Sequence, residues 1–220
     1  MRREVTPGAN RSPTGPGRIK EALHNDVAVL RAAREVFAEQ GWEAPVSAIA
    51  TRAGVGVGSI YRRYRTKEEL AQSLRVWAID HLTDLVRDCV DRFDPDQRLL
   101  AVFFRRLLGE SDGPLLASLG GKLPRHNEVD RAIGELLAAL EALIALAREH
   151  SQLPADFTSA DIMLMSVHLR PSLPTDPKRA TELHERYLDF MLDGIEHAYR
   201  TGGLDTAPTW AEWYRMWQPE

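Results

Sequence analysis

Apolar residues recur every three or four positions from Asn25 almost to the end of this 220-residue chain, and nowhere do they alternate between hairpin turns. That spacing lines one face of a helix, whereas a half-buried strand needs a period of two. The expected fold class is therefore all-α. Val29, Ala32, Ala33, Val36 and Phe37 mark a first helix, stopped by Gly41. Pro45 suits the first position of a second, whose apolar face is Val46, Ile49, Ala50 and Ala53 and whose end is Gly54. A third, short helix follows over Val57–Tyr64. Thr66 and Glu69 have the spacing of a capping box and open a fourth over 67–91, with Leu70, Leu74, Trp77, His81 and Leu85 along one side. Further helices are expected over 96–109, between Gly113-Pro114 and Gly120-Gly121, and over 127–149, 159–169 and 177–200.

The two ends read differently. Residues 1–20 combine Pro7, Pro13 and Pro16 with Gly8, Gly15 and Gly17, the composition of a flexible basic arm. Trp210, Trp213, Tyr214 and Trp217 form an amphipathic stripe expected to dock on the body or on a partner subunit. The expected organisation is an arm over 1–22, a small domain over 23–68, a larger one over 69–202 and a Trp-rich segment over 203–220.

Several function classes are excluded early. The one cysteine, Cys89, provides neither a disulfide framework nor a Cys-based zinc cluster. The first residues lack a secretory apolar stretch and no run is long enough to span a bilayer, so the expected location is the cytoplasm, with no membrane contact. The seven histidines include no H-E-x-x-H pair, and no serine sits in G-x-S-x-G. Gly54-Val55-Gly56-Val57-Gly58 fails as a dinucleotide loop, because the third glycine would fall on Ser59 or Tyr61. Neither catalysis, nor a metal, nor a cofactor is expected.

The net charge of −4 hides an asymmetry. Residues 1–70 hold 12 Lys/Arg against 8 Asp/Glu, while the remainder holds 16 against 24. The sharpest stretch is Arg52 to Lys67, with Arg62, Arg63 and Arg65 between them and no acidic residue. It coincides with the third helix and the start of the fourth, just after the tight turn Ala53-Gly54-Val55-Gly56. Two short helices meeting at such a turn have the layout of a helix-turn-helix, whose second helix enters the major groove. Cationic side chains there neutralise phosphates, and Ser59 and Tyr61 can donate hydrogen bonds to phosphates or base edges.

The residues in order, Val29-Leu30-Arg31-Ala32-Ala33-Arg34-Glu35-Val36-Phe37, Gly41-Trp42, Ile49-Ala50, Ala53-Gly54-Val55, Gly58-Ser59-Ile60-Tyr61, Tyr64 and Lys67-Glu68-Glu69-Leu70, resemble the tetracycline-repressor family of bacterial regulators. The resemblance covers about 45 residues, from Asn25 to Leu70; beyond it only the helical architecture is alike. It implies a homodimeric repressor that binds double-stranded DNA at a near-palindromic operator and is released by a small-molecule effector. Val57 and Arg62 match groove-facing positions, Ser59 a hydroxyl position, Tyr61 a phosphate-contacting position and Lys67 a backbone-contacting lysine. Gly58, Arg63 and Arg65 flank these, and Ser47 matches the start of the second helix. Ile49, Ala50, Val55, Ile60 and Tyr64 match positions of the small core. Two departures stand out: Gly56 replaces a common capping serine, and the stretch from Gly41 to Ile49 is one residue shorter than in many members, which bears on Ser47.

In the larger domain, Trp77, His81, Phe103, Phe104, Leu137, Leu140, Met165 and His168 are candidates to line an effector cavity, the alternative being plain core or dimer contact. Ile162, Leu183, Tyr187, Phe190, Met191 and Ile195 are the candidates for the dimer interface that the resemblance implies. The competing reading is a helical small-molecule carrier or adaptor that keeps the fold without binding DNA.

Overall fold

The computed structural model describes residues 16–109, 126–169 and 173–216, with side chains from Asp26 onward. All regular structure among them is helical: α1 Pro16–Gln40, α2 Val46–Ala53, α3 Val57–Arg63, α4 Lys67–Asp91, α5 Leu99–Gly109, α6 Asn127–Glu149, α7 Ser159–His168, α8 Pro177–Thr201 and α9 Trp210–Met216. The helix expected between Gly113 and Gly121 lies outside the described residues, as do the first fifteen residues of the arm and Trp217.

One boundary differs clearly from the sequence reading. α1 begins at Pro16 and not near Asn25. Proline is compatible with a helix's first turn, where its missing N–H has no intrahelical partner, and the residues from Arg18 to Leu23 are mostly strong helix formers. Prolines 7 and 13 carry the arm's composition; Pro16 starts an element.

Two hydrophobic cores organise the chain. The first gathers Val29, Leu30, Val36 and Phe37 of α1, Ile49 and Ala50 of α2, Ile60 of α3, Tyr64, and Leu70, Ala71 and Leu74 of α4. The second gathers Ile79, Leu85, Val86 and Cys89 of α4 with Phe103 and Phe104 of α5, Leu136, Leu140 and Leu143 of α6, Ile162 and Met163 of α7, Leu188 and Leu192 of α8 and Trp213 of α9. α4 thus serves both cores, changing from one to the other between Leu74 and Ile79.

Local contacts fix how the bundle closes. Thr66 caps α4 by accepting from the Glu69 amide at 3.1 Å. The Glu69 carboxylate reaches one residue further back than in a standard capping box, accepting from the Arg65 amide at 2.8 Å. Gln152 bridges two segments: its Oε1 accepts from the Leu99 amide at the start of α5 (2.8 Å), and its Nε2 donates to the Gln97 carbonyl (2.9 Å). Thr158 and Asp161 form a full capping box at α7, and the same Thr158 hydroxyl donates to the Pro208 carbonyl, which anchors the approach to α9. On α9, Trp213 is buried and Tyr214 Oη donates to Asp130 Oδ1 at 2.6 Å, so this helix packs on the body of its own chain. No helix of the described residues is long and apolar enough to cross a membrane.

Candidate nucleic-acid interface

α2 ends in a left-handed Gly54 (φ +67°), with the Val55 amide donating back to the Ala50 carbonyl at 3.0 Å. A side chain with a Cβ is strained at that φ, so glycine allows the chain to reverse direction abruptly into α3. Gly56 stands at the N-cap of α3 and provides no side-chain cap, as the missing serine implies; the Ser59 amide bonds its carbonyl instead, at 2.8 Å. Ile60 is the buried anchor of α3.

Everything else on this short helix faces outward. Val57, Gly58, Ser59, Tyr61, Arg62 and Arg63 are exposed, Tyr61 at 48% and Val57 at 37%. Arg65 and Ser47 are exposed too, and Lys67 is half-buried. A Cβ at Gly58 would meet nothing within 4 Å, so the backbone there is open to close approach. Arg62 lies along the helix, Nε donating to the Gly58 carbonyl (3.2 Å) and Nη2 to Ser59 Oγ (3.1 Å). Of the nine sequence-predicted positions, six lie on α3, Ser47 near the start of α2, Arg65 just before α4 and Lys67 at its start.

The basic run is less uniform in space than in sequence. Arg52 donates to Glu35 at 2.8 Å and Glu39 at 2.7 Å, tying α2 to α1. Those bonds, that to Glu39 foremost, raise the Arg52 pKa, and the Arg52 bond holds the Glu39 carboxyl below its ordinary range. Arg63 pairs with Asp26 at 2.7 Å, tying α3 to α1. Acids distant in sequence thus neutralise two of the five cations, which the linear count could not show. Among the described residues Arg62, Arg65 and Lys67 have no carboxylate partner within 4.0 Å.

Lys67 is positioned by rings. Its Nζ sits 4.7 Å from the Trp42 centroid and 5.8 Å from that of Phe37, and the two rings are 5.5 Å apart. Cation–π attraction of this kind orients an ammonium without neutralising it. Trp42 was not among the predicted site residues. Its signal was the aromatic directly after the helix-stopping Gly41.

The candidate cavity residues differ in their surroundings. Trp77 packs on the first core and stacks on His81, with centroids 5.8 Å apart. Phe103, Phe104 and Leu140 are buried in the second core, Leu137 and Met165 are half-buried, and His81 and His168 are exposed. Two clefts formed by described residues have other walls. One, of about 450 Å³, lies between Arg98, Gln152, Leu192 and Tyr199; the other, of about 170 Å³, lies beside Cys89, Phe93 and Arg106. None of the eight predicted residues lines either cleft.

The dimer candidates divide. Tyr187 and Phe190 are 60% and 57% exposed, their rings edge to face at 6.1 Å, with the Arg186 guanidinium 5.0 Å from the Phe190 centroid. Leu183 and Met191 are half-buried beside them, while Ile195 borders the larger cleft. Ile162 lies apart from these, fully buried in the second core.

A glycine-cornered helix pair with an outward cationic face, set on a helical bundle through one shared helix, defines a helix-turn-helix protein with a second, helical domain. Residues 29–74 match the sequence profile of the bacterial regulatory proteins of the tetR family. These residues thus match that family's N-terminal model, and the described residues have the all-helical fold of its regulators. Similar solved structures include a TetR transcription regulatory protein from Mycobacterium vanbaalenii, 28% identical over 82% of this chain and 99% of the other, with a TM-score of 0.60. Another is a TetR transcriptional regulator from Streptomyces coelicolor, 26% identical over 77% and 97%, with a TM-score of 0.56. A TetR family regulator from Thermus thermophilus, 23% identical over 76% and 98% with a TM-score of 0.52, shares the fold. No curated protein matches the sequence.

Proposed function

We propose that the protein is a transcriptional repressor that binds a near-palindromic operator as a homodimer and leaves it when a small-molecule effector occupies the helical domain. The observation that carries this reading is the outward face of α3, where Val57, Ser59, Tyr61 and Arg62 stand exposed around an open Gly58. Val57 offers an apolar contact for a thymine methyl, and Ser59 and Arg62 offer donors to base edges. Tyr61, Arg65 and the ring-held Lys67 reach for phosphates. A dimer built through the exposed Tyr187–Phe190 surface of α8 would present two such helices to successive major grooves, about 34 Å apart. Effector binding would change the tilt of α4, because this helix belongs to both cores.

The test is binding of the purified protein to duplex DNA from upstream of its own gene, titrated with salt and with unrelated competitor. Tight binding that survives competitor and weakens steeply with salt is the expected result. Failure to bind even at about 50 mM salt, where phosphate contacts are strong, would overturn the proposal and favour a helical carrier or adaptor.

A further inference from the structure

α4 carries a charge that neither core accounts for. Arg75 lies where the helix passes from the first core, at Leu74, to the second, at Ile79, and it is buried to 9% exposure. Among the described residues its guanidinium makes one hydrogen bond, Nη1 to Gln72 Oε1 at 3.3 Å, and no carboxylate of theirs comes within 4.0 Å. An arginine has five N–H donors and stays protonated, and a charge of this kind is costly to bury unless an anion faces it. Burial accordingly lowers the Arg75 pKa, opposed more weakly by Tyr214 and Asp130. Asp130, the carboxylate in that neighbourhood, is already engaged by the Tyr214 hydroxyl at 2.6 Å and is itself exposed.

α9 holds a second donor of this type. α9, which brings Tyr214 to Asp130, also carries Trp213, whose Nε1–H is buried with no acceptor among the described residues. Gln72, beside Arg75 on α4, adds a buried amide. Buried polar groups in folded proteins are nearly always satisfied, so the under-used guanidinium of Arg75 calls for an acceptor. The second core, which α4 enters beyond Arg75, is apolar, with Ile79 of α4, Val129 and Ala132 of α6 and the half-buried Trp210 among its members.

We propose that Arg75 is the anchor for an organic carboxylate, an apolar molecule with one acid group, received where α4, α6 and α9 meet. The planar guanidinium fork matches the two oxygens of a carboxylate. Because Arg75 sits between the two cores, an acid held there pulls on α4 at the level where one core hands over to the other. This deepens the repressor reading and rests on it only for the consequence on DNA; the binding itself is separately measurable.

The probes are benzoate, indole-3-acetate, octanoate and decanoate, each paired with its primary amide, with thermal melting and tryptophan fluorescence of the full chain as readouts. At least one acid raises the melting temperature of the wild type, and its amide binds at least about tenfold more weakly, having lost the charge-assisted pair. Arg75→Met binds the same acid at least about 100-fold more weakly, since the bound carboxylate then has no counter-charge. Without ligand, Arg75→Met melts at or above the wild-type temperature, because an apolar side chain of similar length replaces an under-compensated buried charge. The inference is overturned by acids and amides that bind alike or not at all, by an Arg75→Met protein that binds acids as wild type does, or by one that melts far below wild type, which would make Arg75 a structural partner of Asp130. Binding of Arg75→Met to the upstream duplex separates the two proposals. If DNA binding is intact and no acid is recognised, only the anchor fails; if acids bind and even the wild type ignores DNA, only the repressor reading fails.

Discussion

Arg52 and Arg62 are both exposed arginines of the same basic run, yet their neighbours give them different tasks. Arg52 is held by two glutamates of α1, whereas Arg62, among the described residues, donates to a backbone carbonyl and the Ser59 hydroxyl and to no carboxylate. Arg62→Ala is therefore expected to weaken binding to specific DNA at least about tenfold, the scale of one lost base or phosphate contact. Arg52→Ala is expected to leave it within about twofold, because its charge is already compensated. Fluorescence anisotropy over a salt series checks both, and an equal loss in the two variants contradicts the assignment. Residue-scale detail of this sort was only half legible beforehand. The sequence shows which side chains are cationic and which helix carries them, but not that Glu35, Glu39 and Asp26 fold back onto two of them.

At the scale of elements, most helix boundaries follow from caps and breakers that are visible in the sequence. α4 starts at Lys67 because Thr66 caps it, and α8 starts at Pro177 after the capping Asp176. Thr66→Ala is expected to cost about 1 kcal/mol in chemical denaturation, the usual loss for an N-cap hydroxyl. A second link joins elements by charge: Asp88 of α4 accepts from Arg106 of α5, and that bond, with help from Arg92, holds its carboxyl below the ordinary range. A carboxyl depressed in the folded state adds stability above its unfolded pKa, and that stability is lost as pH falls through the folded value. The difference in melting temperature between wild type and Arg106→Leu should thus be full above about pH 5 and shrink as pH drops through 4. A difference that is constant down to pH 3 would show the pair to be inert. The eight candidate cavity residues were the part least legible in sequence. Aromatics and methionines at helical spacing fill cores and line chambers equally well, and Phe103, Phe104 and Leu140 are buried in the second core. Arg75 could not be singled out either, since burial of one arginine among many depends on which face of α4 meets α6 and α9.

The whole molecule combines a small core and a large one on a common helix, with one large aromatic pair left in the open. Tyr187 and Phe190 project from α8 with more than half their surface exposed, an unusual cost for a lone subunit. Tyr187→Glu with Phe190→Glu should turn a dimer into a folded monomer in sedimentation, with helical circular dichroism unchanged and specific DNA affinity lowered by at least about 100-fold through loss of the second half-site. A double variant that sediments as the wild type does would place the interface elsewhere.

The position of Trp213 has a consequence for how the chain comes into being. A ribosome delivers the polypeptide from its N-terminus, and domains fold as units when their residues are available. The first core is complete once Leu74 and its neighbours have emerged, while the second waits for a tryptophan on the final helix. During synthesis there is accordingly an interval in which a folded DNA-binding domain leads an unfinished bundle, with α4 helical at one end and its other half still lacking the surfaces it will pack against. Through that interval the apolar faces of α5 to α8 lack the surface that Trp213 supplies.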